Sequence, residues 1–200
     1  MDMLISHRIN TKRELADTPT QYGIEIDLRD AGDDIVLAHD PFCVGERFAD
    51  FLDSYRHRFI ILNIKSERIE WRVLELLKQH SIEDYFFLDC SFPMIYQLSL
   101  KGETRVAMRY SEFEGLESIR LACKKISWVW VDCFTQTPLT RATYTEIKEM
   151  GLKVCLVSPE LQGQPENVAL HIAYFQSEQI CPDMVCSKLH HLTQWQTLFN

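Results

Sequence analysis

The chain has little of what breaks secondary structure: its 200 residues include seven glycines and seven prolines. That excludes collagen-like and low-complexity linker sequences. It lacks a basic surplus, with 21 Lys+Arg against 29 Asp+Glu and a net charge of −8 at pH 7. A nucleic-acid binder working through a basic face is therefore not expected. No run of eighteen or more apolar residues is present, so no transmembrane helix is expected. The start "MDMLISHRIN" has no basic segment followed by a long apolar stretch and a small-residue cleavage site. No signal peptide is expected, and the expected location is cytoplasmic. The seven cysteines are scattered, odd in number and without a C-x-x-C pair. Neither a zinc site nor a disulfide framework fits that spacing, and reduced thiols, several of them buried, do.

What is there is an alternation. The apolar fraction of 46% and charged fraction of 25% are those of an ordinary globular domain. Short apolar runs at 3–6, 22–28, 59–64, 85–89, 105–110, 127–132, 153–158 and 183–187 predict eight strands. A ninth extended piece at 34–39 follows the turn signal "DAGDD" and reads as a hairpin excursion paired with the second strand. Amphipathic stretches predict helices at 47–56, 68–80, 92–102, 115–125, 140–151, 166–179 and 192–200. Pro93 falls in a first turn, Gly102 and Gly151 fall where helices end, and Thr193 is the expected N-cap of the last helix. Alternation of this kind predicts a parallel sheet. Eight units predict a small closed (β/α)8 TIM barrel, a single domain over 1–200, with a doubly wound open sheet as the alternative. Trp128 and Trp130 are expected to face opposite sides of their strand.

In such a fold the chemistry sits at the C-terminal ends of the strands. His7, Arg8, Glu25, Asp27, Asn63, Lys65, Asp89, Arg109, Asp132, Glu160 and Lys188 all fall there. Residues two apart share a strand face, so Glu25 pairs with Asp27 and Asn63 with Lys65. Two neighbouring carboxylates repel, and a hard divalent cation removes that conflict. The E-x-D pair therefore reads as half of a Mg²⁺ or Ca²⁺ site, the alternative being ion pairs to Arg8 or Arg29. His7 and His39 suit an acid–base pair, since histidine titrates near neutrality. Lys65 and Arg8 suit an anionic group such as phosphate, and Arg109, Asp132 and Glu160 suit either the substrate's alcohol portion or ion pairs at the rim. Cys90 and Cys133 follow strands, but nothing beside them marks a nucleophile.

The set "HR" after the first strand, "EID" on the second, "HD" after a hairpin and a strand ending "NIK" resembles the glycerophosphodiester phosphodiesterases. These belong to the wider phospholipase-C-like phosphodiesterase superfamily of (β/α)8 barrels. "DCSFPMIYQL", "EMGLKVCLVS" and "CPDMVCS" are similar to later parts of the family pattern. The resemblance implies that His7 deprotonates an attacking hydroxyl, which can be a neighbouring hydroxyl of the substrate, giving a cyclic phosphate. It implies that His39 protonates the leaving alcohol and that Lys65 and Arg8 bind phosphate. It also implies that Glu25 and Asp27 ligate the cation, with Asn63 at the position of a third, acidic ligand. Asparagine still offers a carbonyl oxygen but no charge. The family's "HRG" reads His7-Arg8-Ile9 here, which removes glycine's freedom and is expected to put bulk near the mouth. One short helical stretch separates His39 from Asn63, which implies that the family's cap insertion is missing and the pocket more open.

The leading expectation is a metal-assisted phosphodiester hydrolase acting on a small glycerophosphodiester-like or sugar or lipid-headgroup diester. The alternatives are a non-catalytic barrel that binds a phosphorylated ligand after losing full metal binding, and an interaction protein in a biosynthetic complex.

Overall fold

The structure, a computed structural model, describes residues 3–199; Asn200, the end of the last expected helix, lies outside them. In chain order the elements are β1 (Met3–Ser6), α1 (Lys12–Asp17), β2 (Gly23–Ala31), β3 (Asp34–Leu37), β4 (Glu46–Arg47), α2 (Phe48–Leu52), β5 (Ile60–Ile64) and α3 (Glu70–Gln79). There follow β6 (Tyr85–Leu88), α4 (Phe92–Leu100), β7 (Ala107–Tyr110), α5 (Glu117–Ala122), β8 (Trp128–Val131) and α6 (Arg141–Glu149). The chain closes with β9 (Lys153–Val157), α7 (Val168–Ser177), β10 (Met184–Ser187) and α8 (Leu192–Trp195).

The parallel strands pair in the order β6-β5-β2-β1-β10-β9-β8-β7. Neighbours follow the chain without doubling back, unlike the open-sheet alternative. Between β6 and β7 the link is a single parallel bridge, Phe87 with Val106, joined by Phe87 N–H donating to Arg105 O at 2.8 Å. The excursion is antiparallel, with Leu28 opposite Leu37 on β3, and β4 adds to its outer edge.

Two apolar layers follow from the two-residue period of the strands. Ile5, Ile61, Phe86, Trp128, Trp130 and Cys186 form one buried cluster. Leu4, Ile24, Leu62, Val129 and Val154 form the other, together with helix residues such as Val73, Leu98 and Phe175. Trp128 and Trp130 thus share the inner face, correcting the expectation that they point apart; residues two apart cannot. The Trp128 ring stacks at 4.8 Å from Phe86. The inner layer is tight at Gly23, where a Cβ would meet Ile5 Cδ1 at 2.4 Å.

Three local readings need correction. Helix α1 was not expected, since Leu15 is its one buried residue and gives no periodicity; it forms on a Thr11–Glu14 capping box. Helix α8 begins after His191, not after Thr193, because a 3-10 turn at Leu189–His191 leads straight into it. Ile9 is 7% exposed and packs in the outer cluster with the helices, so its bulk is not at the mouth. Gly102 and Gly151 take positive φ past α4 and α6 as their positions required.

Candidate active site

The inward positions at the C-terminal strand ends carry the polar residues. Asp27 on β2 and Asn63 on β5 are direct register partners. Glu25 lies one inward position deeper and is fully buried. Its Oε2 accepts the Arg8 backbone N–H at 2.8 Å and its Oε1 accepts Asn63 Nδ2 at 2.9 Å. Arg8 is in the left-handed region, φ 56°, a conformation uncommon for a side-chain-bearing residue. Asp27 is clasped by Asn10, whose Nδ2 donates to Oδ2 and whose Oδ1 accepts the Asp27 N–H, each at 2.9 Å. Burial raises both carboxyls above their usual range, and Glu25 adds to the effect on Asp27.

Asp27 Oδ1 and Asn63 Oδ1 are buried and accept no hydrogen bond. Unsatisfied buried acceptors are costly. Two such oxygens, beside a carboxylate whose charge burial disfavours, are the donor set of a hard cation. Glu25, Asp27 and Asn63 therefore fit a divalent ion. Lys65, whose Nζ lies 3.7 Å from Asp27 Oδ1, partly neutralises the same oxygen.

His7 Nε2 lies 3.7 Å from Glu25 Oε2, and its Nδ1 is 3.1 Å from Lys188 Nζ. Burial, then the charges of Lys188 and Arg8, hold this histidine down at about 3. It is neutral at pH 7. His39 is more open, with its side chain 39% exposed and its Nδ1 2.8 Å from Asp40 Oδ1. Arg29 holds it from below: Nε and Nη2 donate to the His39 carbonyl, and Nη1 donates to the Lys65 carbonyl at 3.0 Å. Ala38 N–H donates to Asp27 O, which ties the histidine loop to β2.

Across the mouth the charges are already paired. Lys65 Nζ lies 3.2 Å from Asp89. Arg109 grips Asp89 through Nε at 2.7 Å and Nη2 at 2.9 Å, and donates to Asp132 through Nη1. Asp132 also accepts from Trp130 Nε1 at 3.1 Å and Gln162 Nε2 at 3.0 Å. Burial alone would raise Asp89, but Arg109 and Lys65 bring it below its usual range. Asp132 is raised, by burial that outweighs Arg109. Glu160 accepts from Ser158, from Ser187 Oγ at 2.5 Å and from the Lys188 N–H at 3.0 Å. A cavity of about 680 Å³ opens beside this half, lined by Asp89, Arg109, Phe92, Met108 and Phe113 among others. Burial lifts the Cys90 thiol well above its usual value and Cys133 to about 12, so neither is a ready thiolate.

The structure brings His7, Arg8, Glu25, Asp27, Asn63 and Lys65 into one contact network, with His39 tied to it through Arg29 and Ala38. Arg109 and Asp132 lie in the adjoining one. Sequence reasoning missed Asn10, for which no pattern exists, and misread Arg29. It continues the two-residue period of Glu25 and Asp27, but it binds backbone carbonyls, not the carboxylates.

Comparison with solved structures returns proteins that overlay on most of the chain. The chain overlays on a glycerophosphodiester phosphodiesterase from Agrobacterium tumefaciens str. C58 with a TM-score of 0.66 and 16% identity, covering 94% of this chain and 98% of that one. A second protein of that organism, provisionally described as a glycerophosphoryl diester phosphodiesterase, gives a TM-score of 0.70 at 15% identity, covering 98% of each chain. The chain thus has the fold of these proteins. No family model and no curated protein matches the sequence. Among the described residues no helix is long and apolar enough to cross a membrane.

Proposed function

We propose that this chain is a compact single-domain (β/α)8 TIM barrel of the glycerophosphodiester phosphodiesterase family that hydrolyses a small phosphodiester. The observation that carries the reading is the pair of orphaned buried oxygens, Asp27 Oδ1 and Asn63 Oδ1, beside Glu25 and His7. The fold shared with a glycerophosphodiester phosphodiesterase supports it.

Glu25, Asp27 and Asn63 would hold Mg²⁺ or Ca²⁺, which when bound polarises a phosphoryl oxygen and lowers the proton affinity of the attacking hydroxyl. His7 takes the proton of that hydroxyl as its oxygen bonds to phosphorus. His39 gives a proton to the departing alkoxide as the other P–O bond breaks; its exposure suits exchange of that proton with solvent. Water then opens a cyclic product with the two histidines in exchanged roles. Arg8 and Lys65 bind the phosphoryl oxygens, and Arg109 and Asp132 frame the side on which the alcohol portion lies.

A phosphodiesterase panel of glycerophosphodiesters, sugar phosphodiesters and nucleotide-linked alcohols, run with Mg²⁺, Ca²⁺ or EDTA, tests this. Turnover that needs the cation and disappears in His39→Ala is expected. No turnover under any condition would overturn it and favour the second reading, a phosphate-binding barrel without chemistry. That reading has one observation behind it: Asn63 Nδ2 donates to Glu25 Oε1, closing the site without a cation.

A further inference from the structure

The cations at the mouth are not equally available. Lys65 is shared between Asp89 and Asp27, Arg109 between Asp89 and Asp132, and Arg8 Nε lies 3.7 Å from Asp27. Lys188 differs. Among the described residues its ammonium enters no ion pair with a carboxylate, and its contact is His7 Nδ1 at 3.1 Å. An ammonium has three donors and the imidazole uses one.

The root of this side chain is held firmly. Its backbone N–H donates to Glu160 Oε1 at 3.0 Å, which also takes Ser187 Oγ. Ser158, the partner of Glu160 Oε2, is fixed in turn by Trp195 Nε1 at 2.7 Å. The His7 N–H donates to Ser187 O at 2.9 Å, so Lys188 and His7 leave adjacent strands together. A fixed root, a half-buried charge and a tip that among the described residues meets no carboxylate describe a group waiting for an anion. Lysine serves phosphate as a point charge and needs no planar partner.

We propose that Lys188 is a phosphate-binding residue that turns from His7 Nδ1 to grip a non-bridging phosphoryl oxygen, which frees that nitrogen to take a proton and places the phosphorus beside the histidine. The proposal rests on the phosphodiester reading of the mouth. Inorganic phosphate titrated into the full chain by calorimetry tests it. Lys188→Met should weaken phosphate binding at least about tenfold, the loss of one charge-assisted hydrogen bond, and Lys188→Arg should keep most of it. Equal affinity in the wild type and Lys188→Met, or no phosphate binding by the wild type, overturns it. The wild-type chain gives a second readout through lysine acetylation followed by mass spectrometry. Phosphate should protect Lys188 and leave the exposed Lys78 and Lys124 unchanged; equal labelling of Lys188 with and without phosphate overturns the proposal. Lys188-dependent phosphate binding without turnover of any diester sinks the hydrolase reading and leaves this one standing. With turnover, Lys188→Met should raise KM more than it lowers kcat, and an unchanged KM overturns the assignment.

Discussion

The two halves of the mouth carry similar side chains and differ in how far buried charge is paired: burial raises Asp132 on one half as it raises Glu25 and Asp27 on the other, but Asp132 faces Arg109. On the β6, β7 and β8 side, Asp89 and Asp132 surround Arg109, and Asp89 is brought below its usual range. On the β1, β2 and β5 side, Glu25 and Asp27 are raised by burial, His7 is depressed, and two buried oxygens accept no hydrogen bond. The first half already pairs its charges. The second stores unmet demand for a positive charge, and that demand is what a cation or a reacting phosphate would meet.

The comparison breaks most sharply at the histidines. His39→Ala should lower diester turnover about 10²–10⁴-fold while leaving the thermal midpoint unchanged, since the ring is 39% exposed and contacts Asp40. Equal turnover would remove the acid role. On the satisfied side, Arg109→Met strands Asp89 and Asp132 and should cost about 2–4 kcal/mol by chemical denaturation, less than a fully buried pair because Arg109 is 29% exposed. Asp89 has a depressed folded-state value. Its stabilisation is therefore present above the unfolded value of about 3.9 and lost as the pH falls through the folded one. Arg109→Met should flatten that part of the acid denaturation curve.

On the unsatisfied side, Mg²⁺ or Ca²⁺ at a hundred times its Kd should add about 2.7 kcal/mol, read as a rise in thermal midpoint of about 5–10 °C. Glu25→Gln should abolish that rise while raising the midpoint of the EDTA-treated protein, because it removes a buried charge that folding disfavours. The smallest effect is at Asn63. Asn63→Asp should tighten cation affinity about tenfold by adding a full charge at a ligand oxygen and lower the midpoint of the cation-free protein. Calorimetric titration of the metal and a melt in EDTA would check the two halves of that statement.

Much of this was legible in the sequence because both signals are local. Period-two apolar runs mark the strands, and Glu25, Asp27, Asn63 and Lys65 keep the same period, so their sharing of the mouth follows from the chain alone. Trp128 and Trp130 obey that rule too, and the expectation that they diverge ignored it. What was not legible depends on distant partners. Asn10 clasps Asp27 from 17 residues away, and no spacing announces it. Lys188 meets His7 across 181 residues, a pairing that exists only once β10 lies against β1. Arg109 and Asp132 look alike as substrate contacts or as ion pairs until the intervening distance is known. Helix α1 escaped because its capping box, not an apolar stripe, defines it.

The joint between β6 and β7 has a dynamic consequence. Every other neighbouring pair of parallel strands shares a ladder, whereas this one hangs on Phe87 and Val106. Local opening concentrates where backbone hydrogen bonds are fewest, so amide protons should exchange earliest along this seam. The large cavity lies beside the same seam. Breathing there would widen the Arg109 side, where a bulky alcohol could be admitted, while His7 and Glu25, carried by β1 and β2 away from this seam, kept their spacing.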